Sequence, residues 1–329
     1  MINKTQDEII KAWKNTSSND PLVSISCITY NHVNYIEQCL DGFLEQETEY
    51  PFEILIHDDC STDGTTEIIQ KYSTKYPDII KPMYETENQY QQGKPAGSLI
   101  WNFPRAKGKY IALCEGDDYW IDENKLQMQV DFLEKNPEYG MCYTNFNLVS
   151  EKSKNIKQKA LDTKKWNLKN WIISPGYTCP PSWCFRKELI KKIPKIDSCD
   201  GTFIYFAVFL YNTKVHCFKN SVTSCYRILK ESASHSVSAK KIFMREVNLY
   251  DVKMKLAKCY LQDDISYLLK QNFFSAIWKL AILTGDVDLV KQIKTECATK
   301  NTIFLVKLFS NKIGKKIIYI FYRIKYGWK

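Results

Sequence analysis

The chain has 329 residues, of which 44% are apolar and 14% aromatic, and 46 Lys and Arg against 37 Asp and Glu give a net charge of +9. This apolar content excludes general disorder, and the length allows one large domain or two of modest size. Twelve cysteines lie scattered without a repeated spacing, which favours a reduced, cytosolic chain over a disulfide scaffold or a zinc site. The sequence has neither a signal-peptide core nor an apolar run of about eighteen residues, so it predicts no export by that route and no transmembrane helix.

Strand and helix patterns alternate from the N-terminus onward. After a polar N-terminal helix, strands are predicted at 23–29, 52–57, 79–84, 109–114 and 139–147, with helices from 36, at 65–76, at 98–106 and at 125–136. Pro82 places the third strand near a sheet edge, and Asp63 is positioned to cap the second of these helices. This order predicts an α/β fold with a mostly parallel, Rossmann-like sheet flanked by helices.

The second half of the chain has weaker patterns. A surface loop is predicted at 150–169, followed by a strand at 182–186, a helix at 200–211 and strands at 215–218 and 222–228. Helical periodicity dominates from residue 240 onward, which predicts a C-terminal helical extension.

Basic charge is concentrated in that extension. Residues 240–329 carry eighteen basic and seven acidic side chains, whereas residues 1–239 have a net charge of −2. Residues 301–329 hold seven basic side chains and no acidic one, with apolar residues at helical spacing. This pattern is typical of a helix on an anionic membrane surface. A terminal helix packed on the rest of the chain is the alternative. A nucleic-acid partner is not expected, because no basic patch precedes residue 240.

Acidic clusters follow two of the predicted strands: Asp58 and Asp59 after the second, and Glu115, Asp117 and Asp118 after the fourth. Open α/β sheets bind ligands at the carboxyl ends of their strands, so the clusters predict one crevice. Facing carboxylates repel unless a cation or several hydrogen-bond donors lie between them. A divalent cation is the simpler explanation, and oxygen ligands without His or Cys favour Mg²⁺ or Mn²⁺. For either cluster taken singly, an ordinary turn or helix cap remains the alternative.

Three segments carry a family resemblance: SISCITYN at 24–31, DDCSTDGT at 58–65 and EGDDYW at 115–120. In this order and spacing they resemble the nucleotide-sugar-binding half of the family 2 inverting glycosyltransferases, bacterial surface-glycan enzymes of GT-A fold. The resemblance implies a helical lead-in at 1–19, a nucleotide-sugar-binding half at 20–147, an acceptor-binding half at 148–239 and a basic helical region at 240–329. The family usually has Asp where this chain has Glu115.

The resemblance also implies roles for individual residues on the donor side. A nucleoside diphosphate, most often UDP, would have its base held by three side chains and its ribose and bridging Mn²⁺ or Mg²⁺ held by the second acidic cluster. The base contacts would be Thr29, Tyr30, which stacks, and Asp59; Glu115 would contact ribose or metal, Asp117 ribose or metal, and Asp118 the metal.

Further residues are assigned by the same resemblance. Asp200, with Asp197 as second choice, would be the base that deprotonates the acceptor hydroxyl, although a helix N-cap is a competing role for Asp200. Arg227 and His235 would donate to the diphosphate, although a His in a Ser-rich loop is commonly just solvated. Trp183 would face the acceptor sugar, with a core position as the alternative.

The predicted function is therefore metal-dependent inverting transfer of a sugar from a nucleoside diphosphate to a hydroxyl of a surface polysaccharide or lipid-linked acceptor. The predicted location is the inner face of the cytoplasmic membrane, held by the C-terminal helix. Two alternatives remain: a sugar-nucleotide nucleotidyltransferase, and a non-catalytic glycan-binding or assembly protein that kept the fold.

Overall fold

The computed structural model describes residues 4–14, 20–93, 97–156, 166–176, 178–230, 238–261, 265–285 and 318–319. Its strands are β1 (Val23–Thr29), β2 (Phe52–Asp58), β3 (Ile80–Tyr84), β4 (Tyr110–Leu113), β5 (Tyr119–Trp120), β6 (Tyr139–Ser150), β7 (Asn155–Ile156), β8 (Trp183–Arg186) and β9 (Lys214–Ile228). Its helices are α1 (Gln6–Ala12), α2 (Ile36–Leu44), α3 (Thr65–Lys75), α4 (Ser98–Trp101), α5 (Lys125–Lys135), α6 (Leu168–Ile173), α7 (Gly201–Asn212), α8 (Ala239–Tyr260) and α9 (Ser266–Thr284). The predicted C-terminal helix at 301–329 lies almost wholly outside the described residues.

The described strands form one mixed sheet in the order β3-β2-β1-β4-β8-β6-β9-β5, with β7 paired to β6. The neighbours β3, β2, β1 and β4 are all parallel, whereas β8 and β5 run antiparallel to the strands beside them. The predicted α/β class, with a sheet flanked by helices, is confirmed, and β3 lies at the edge as Pro82 indicates.

The core lies around the parallel strands, because these strands are buried along almost their whole length. Val23, Ile25 and Cys27 of β1 are fully buried, and so are Leu40 and Phe43 of α2. The buried Ser24, on the other face of β1, is paired inside the protein, since its Oγ donates to Glu53 Oε1 at 2.6 Å.

Two predicted elements differ in the structure. The helix predicted at 98–106 is short α4 followed by a 3-10 turn, Phe103–Arg105, because Pro104 disfavours α-helical geometry at the residue before it. The strands predicted at 215–218 and 222–228 are one strand, β9, that pairs with β6 along its length through register shifts near Asn145. The shifts in register accommodate the polar residues between the two apolar runs without ending the strand.

The chain divides into two compact units. The described residues of 1–167, 176–193 and 208–228 form the first unit, which contains the whole sheet. Those of 168–175, 194–207 and 229–329 form the second, which contains α6, α8, α9 and the start of α7. In the second unit Val247 of α8 packs against Phe274 and Ile277 of α9. Across the described part of the chain, the helices are too short or too polar to cross a bilayer.

Candidate functional site

The carboxyl ends of β2, β1 and β4 lie side by side. Thr29, the last residue of β1, is in register with Asp58 at the end of β2, and the Asp59 N–H donates to the Thr29 carbonyl at 3.1 Å. On the other side of β1, the Gly116 N–H donates to the Ile28 carbonyl at 3.0 Å. The structure therefore brings the two acidic clusters to the same sheet edge, one on each side of β1.

The acidic loop, defined as residues 115–118, packs tightly against the end of β1. A Cβ at Gly116 would lie 2.5 Å from Thr29 Oγ1 and 3.0 Å from His32 Nδ1, so the approach requires glycine. His32 Nδ1 is itself 3.1 Å from Thr29 Oγ1, and its Nε2 is 4.0 Å from Asp117 Oδ2. His32 was not predicted to contact the donor, and its position just after β1 was the only available signal.

Asp118 is the most buried carboxylate of the acidic loop. It is 1% exposed, and its Oδ1 accepts a 2.7 Å hydrogen bond from the Arg227 backbone N–H. Burial, then the charges of Asp117 and Glu115, raise the pKa of Asp118 well above its usual value, against the opposing effect of Arg227. A nearby cation would stabilise the ionised forms of these carboxylates, because opposite charge favours the charged state.

The acidic loop offers oxygen ligands only, and these are the ligands that Mg²⁺ and Mn²⁺ take. Within the described ranges, no three His, Cys, Asp or Glu side chains converge into a complete metal site. A Mg²⁺ ion at a phosphate substrate commonly uses one or two carboxylates and completes its shell with phosphate oxygens and water. Asp117 and Asp118 fit an ion of that kind, as a pair that a diphosphate would complete.

On the other side of β1, Asp59 fixes the segment that follows β3. Its buried carboxylate accepts from the Gln89 N–H at 2.7 Å and from the Tyr90 N–H at 3.1 Å. Gln91 Nε2 donates to the Tyr30 hydroxyl at 3.4 Å, and the Tyr90 side chain is 62% exposed. Residues 89–91 thus contact both Tyr30 and Asp59, the predicted base-binding pair. These contacts were not predicted from the sequence.

The loops after β1 and β2 are joined by hydrogen bonds and hold unusual backbone angles. Asn31 and Cys60 have left-handed φ values of 54° and 65°. Thr62 N–H donates to the Asn31 side chain at 2.9 Å. Asp58 is fully buried and accepts from Ser61 N–H and its hydroxyl, so it shapes the loop. Left-handed non-glycine residues cost free energy and cluster at binding sites.

Two further predicted residues of the first unit, Trp183 and Arg227, are buried among protein groups. Trp183 is 1% exposed, and a ring so buried presents no face to a sugar; the structure places it in the core in place of the predicted acceptor contact. Each side-chain nitrogen of Arg227, predicted at the diphosphate, donates to an acceptor of the protein itself. His235 lies outside the described residues.

Asp200 belongs to the second unit, immediately before α7. Its Oδ1 accepts from the Phe203 N–H at 3.0 Å and from the Thr202 hydroxyl at 2.7 Å, which is the capping role weighed against catalysis. Its Oδ2 accepts from Arg245 Nη2 of α8 at 2.7 Å. Asp197 is exposed. The carboxylate of Asp200 is thus oriented by a helix end and by an arginine together.

A mixed sheet of this order with acidic loops at its strand ends is the arrangement of a GT-A-type fold, and the comparisons agree. The family model described as "Glycosyl transferase family 2" matches residues 24–194, just over half of the 329 residues. The chain therefore belongs to glycosyl transferase family 2.

Individual relatives match over part of their length. TuaG of Bacillus subtilis, named for teichuronic acid biosynthesis as a glycosyltransferase, is 34% identical over 134 residues, which cover 40% of this chain and 49% of TuaG. Uncharacterized proteins of Mycobacterium are 41% identical over 129 residues and are matched over only 36% of their own length.

Solved structures with the same fold cover most of the chain. TarS of S. aureus in complex with UDP-GlcNAc has a TM-score of 0.58 at 18% identity, covering 90% of this chain and 88% of that chain. A mannosyltransferase of Pyrobaculum calidifontis in complex with GDP-Man and Mn²⁺ has a TM-score of 0.51 at 15% identity, covering 94% and 88%. Identities this low establish the fold and not the substrate.

Proposed function

We propose that the chain transfers a sugar from a nucleoside diphosphate, most often UDP, to a hydroxyl of a surface polysaccharide or lipid-linked acceptor, with inversion and with Mn²⁺ or Mg²⁺. The observation that carries the proposal is the position of two acidic clusters on the two sides of β1, at the carboxyl ends of the strands. Family membership, the UDP-GlcNAc and GDP-Man complexes of proteins of the same fold, and the name of TuaG support it.

On the donor side, Tyr30 would stack on the base, with Thr29 and Asp59 beside it. Because both Asp59 oxygens already accept backbone N–H groups, its carboxylate is fixed in place and a base would use the remaining lone pairs. Glu115 would reach the ribose or the metal, and Asp117 and Asp118 would hold the ion. When bound, a divalent ion stabilises the charge that develops on the departing diphosphate.

On the acceptor side, Asp200 would take the proton of the acceptor hydroxyl as its oxygen bonds to the anomeric carbon. The bond from that carbon to the diphosphate breaks on the opposite face, so the electron pair leaves with the phosphate and the configuration inverts. Arg245 keeps one carboxylate oxygen oriented, while the cap contacts hold the other. A fixed carboxylate avoids the entropy of positioning a base during the reaction.

The decisive experiment incubates the full chain with a panel of nucleotide sugars and Mn²⁺ and measures release of the nucleoside diphosphate. Asp118→Ala is expected to lower the rate at least about 100-fold, whereas Asp78→Ala, an exposed aspartate in the same unit, should leave it unchanged. Release of pyrophosphate instead would favour a nucleotidyltransferase, and activity retained in a chelator would refute the metal requirement. No turnover of any donor would favour a non-catalytic protein.

A second pair of variants tests the base. Asp200→Asn should keep donor binding, measured by thermal shift with UDP and Mn²⁺, and lose about 100- to 10,000-fold in transfer. Asp197→Asn makes the same change at the second-choice residue in the same unit and should keep transfer. If Asp197→Asn loses transfer and Asp200→Asn does not, the roles of the two residues are exchanged.

We also propose that residues 301–329 hold the protein on an anionic membrane. The support is their seven basic side chains without an acidic one, each contributing on the order of 1 kcal/mol at an anionic surface. An acceptor linked to lipid would then lie at the same surface as the enzyme.

A further inference from the structure

Arg227 is enclosed along the edges of its guanidinium group. Nε donates to the Asp117 carbonyl at 2.7 Å, and Nη2 donates to Gln38 Oε1 at 2.9 Å. Nη1 donates to Ser153 Oγ at 2.9 Å and approaches the carbonyls of residues 150 and 151 at 3.3 and 3.2 Å. All three nitrogens are therefore used on α2, on the acidic loop and on the turn between β6 and β7.

Two aromatic rings also lie close to the same guanidinium group. Its central carbon lies 4.5 Å from the centre of the Tyr35 ring and 5.3 Å from that of Tyr119, distances at which arginine and aromatic rings attract each other. Arg227 is 2% exposed as a result. A phosphate would have to displace protein acceptors to reach this group, at the cost of leaving them buried and unsatisfied.

Arg227 contacts two successive residues of the acidic loop, and it uses two different groups to do so. Its backbone N–H donates to the Asp118 carboxylate at 2.7 Å, while its side chain donates to the Asp117 carbonyl. The antiparallel pairing of Tyr119 with Cys225 brings the two segments together. The acidic loop is therefore held from the β9 side by Arg227 and from the β1 side by the close packing of Gly116.

We propose that the Arg227 side chain is a positioning group that holds the backbone of the acidic loop, and with it the carboxylates of Asp117 and Asp118, in place for a divalent cation, and that it does not contact the donor diphosphate. The inference rests on the proposed function, since it assumes that the acidic loop binds the ion. It departs from the sequence-based expectation, which gave Arg227 to the diphosphate.

The two roles predict different changes when Arg227 is replaced. If Arg227 is a positioning residue, replacing it should lower the affinity for Mn²⁺ itself, by about 10- to 100-fold, as expected for the loss of a group that orients a metal ligand. The affinity for UDP at saturating Mn²⁺ should then remain near that of the wild type. If Arg227 contacts the diphosphate, replacing it should instead leave Mn²⁺ binding unchanged and weaken the binding of UDP.

Arg186 provides a matched control in the same unit. Like Arg227 it donates to backbone carbonyls, those of Tyr139 and Leu133, and lies over a tyrosine, Tyr110. It is in register with Tyr110 at the start of β4, the opposite end of that strand from the acidic loop. Arg186→Gln should therefore cost stability without changing Mn²⁺ affinity.

The test titrates Mn²⁺ into the full chain and follows water-proton relaxation, first without UDP, and then titrates UDP at saturating Mn²⁺. Arg227→Gln is expected to bind Mn²⁺ about 10- to 100-fold more weakly than Arg186→Gln does. Equal Mn²⁺ affinity of Arg227→Gln and the wild type would overturn the proposal, and a selective loss of UDP affinity would assign Arg227 to the diphosphate.

Folding and the metal site are checked separately. If Arg227→Gln does not fold, Gln38→Ala removes the Nη2 acceptor from an exposed position of α2 and should weaken Mn²⁺ by a smaller factor; no change there would overturn the proposal. A wild-type protein that binds no Mn²⁺ in either titration would refute the proposed metal site, and the inference with it. Mn²⁺ binding that is lost in Asp118→Ala but kept in Arg227→Gln would refute the inference only.

Discussion

The substitution Lys125→Met should abolish a gain in stability that the wild-type protein acquires as the pH rises from about 7 to about 9.5. Lys125 begins α5, and its side chain is fully buried. Its Nζ donates to Gln129 Oε1 at 2.7 Å and lies 4.2 Å from the centre of the Trp120 ring. Burial lowers the pKa of Lys125 from its usual 10.5 to about 8, because the ammonium group loses its hydration.

The sign and size follow from this shift. Because the pKa is lower in the folded state, the unfolded chain binds the proton more tightly, so the free energy of unfolding rises with pH across this range. A shift from 10.5 to about 8 corresponds to a penalty of about 3 kcal/mol near neutral pH. Between about pH 7 and about pH 9.5, about 2 kcal/mol of the penalty is relieved. Methionine has a similar length and does not titrate, so the variant has no such gain.

The assay is urea unfolding at the two pH values for the wild type, Lys125→Met and Lys135→Met. Lys135 lies in the same helix with its side chain 75% exposed, so its replacement should give the same difference from wild type at both pH values. Comparing variants cancels the contributions of titrating groups that do not interact with Lys125. The lost bond to Gln129 costs about 1 kcal/mol at either pH. A difference between wild type and Lys125→Met that is constant with pH would refute the reasoning.

Three further outcomes are expected. Gly116→Ala should destabilise the protein by about 1–3 kcal/mol in urea unfolding, because the added Cβ would overpack against Thr29 and His32; unchanged stability would contradict this close approach. Burial would raise the pKa of Asp63, but hydrogen bonds from Thr65 and Val33 outweigh this effect and lower that pKa. The wild type should therefore be more stable than Asp63→Ala above pH 3.8, and the difference in the free energy of unfolding should shrink as the pH falls below that value. Deleting 301–329 should release the protein from anionic vesicles in a sedimentation assay, and added salt should do the same; unchanged sedimentation would contradict the membrane role.

The parallel half of the sheet and both acidic clusters could be predicted because their signals are local. A strand such as β1, rich in β-branched residues and followed by a turn, can be recognised from neighbouring residues alone, and parallel strands place their carboxyl ends together whatever the rest of the chain does. The spacing of Asp59 and Asp117 relative to the strand ends was therefore enough to bring them to one edge. The strand pairing of β1 with β2 and β4 bears this out.

The positions of Trp183, Lys125 and Arg227 could not be predicted in the same way. Each depends on a partner distant in sequence: Gln129 beside Lys125 donates to the Ser182 carbonyl at 2.8 Å, and Trp120 donates to the Pro181 carbonyl at 2.8 Å. These bonds bury the start of α5 against the segment before β8. A lysine at the first turn of a helix is ordinarily solvated, so the residue type alone predicts an exposed side chain at position 125.

The backbone of the acidic loop is fixed more by its surroundings than by its own sequence, and this bears on Glu115. The Glu115 carbonyl accepts from the Asp118 N–H at 3.0 Å and from Cys39 Sγ at 3.5 Å, contacts that do not depend on the side chain at this position. Gly116 and Arg227 fix the next residues from two sides. A glutamate in place of the family's usual aspartate can therefore lengthen the first carboxylate by one methylene while Asp117 and Asp118 keep their places. The longer side chain is consequently expected to change the proposed contact with ribose or metal at position 115 and to leave Asp117 and Asp118, the proposed ligands of the ion, in place.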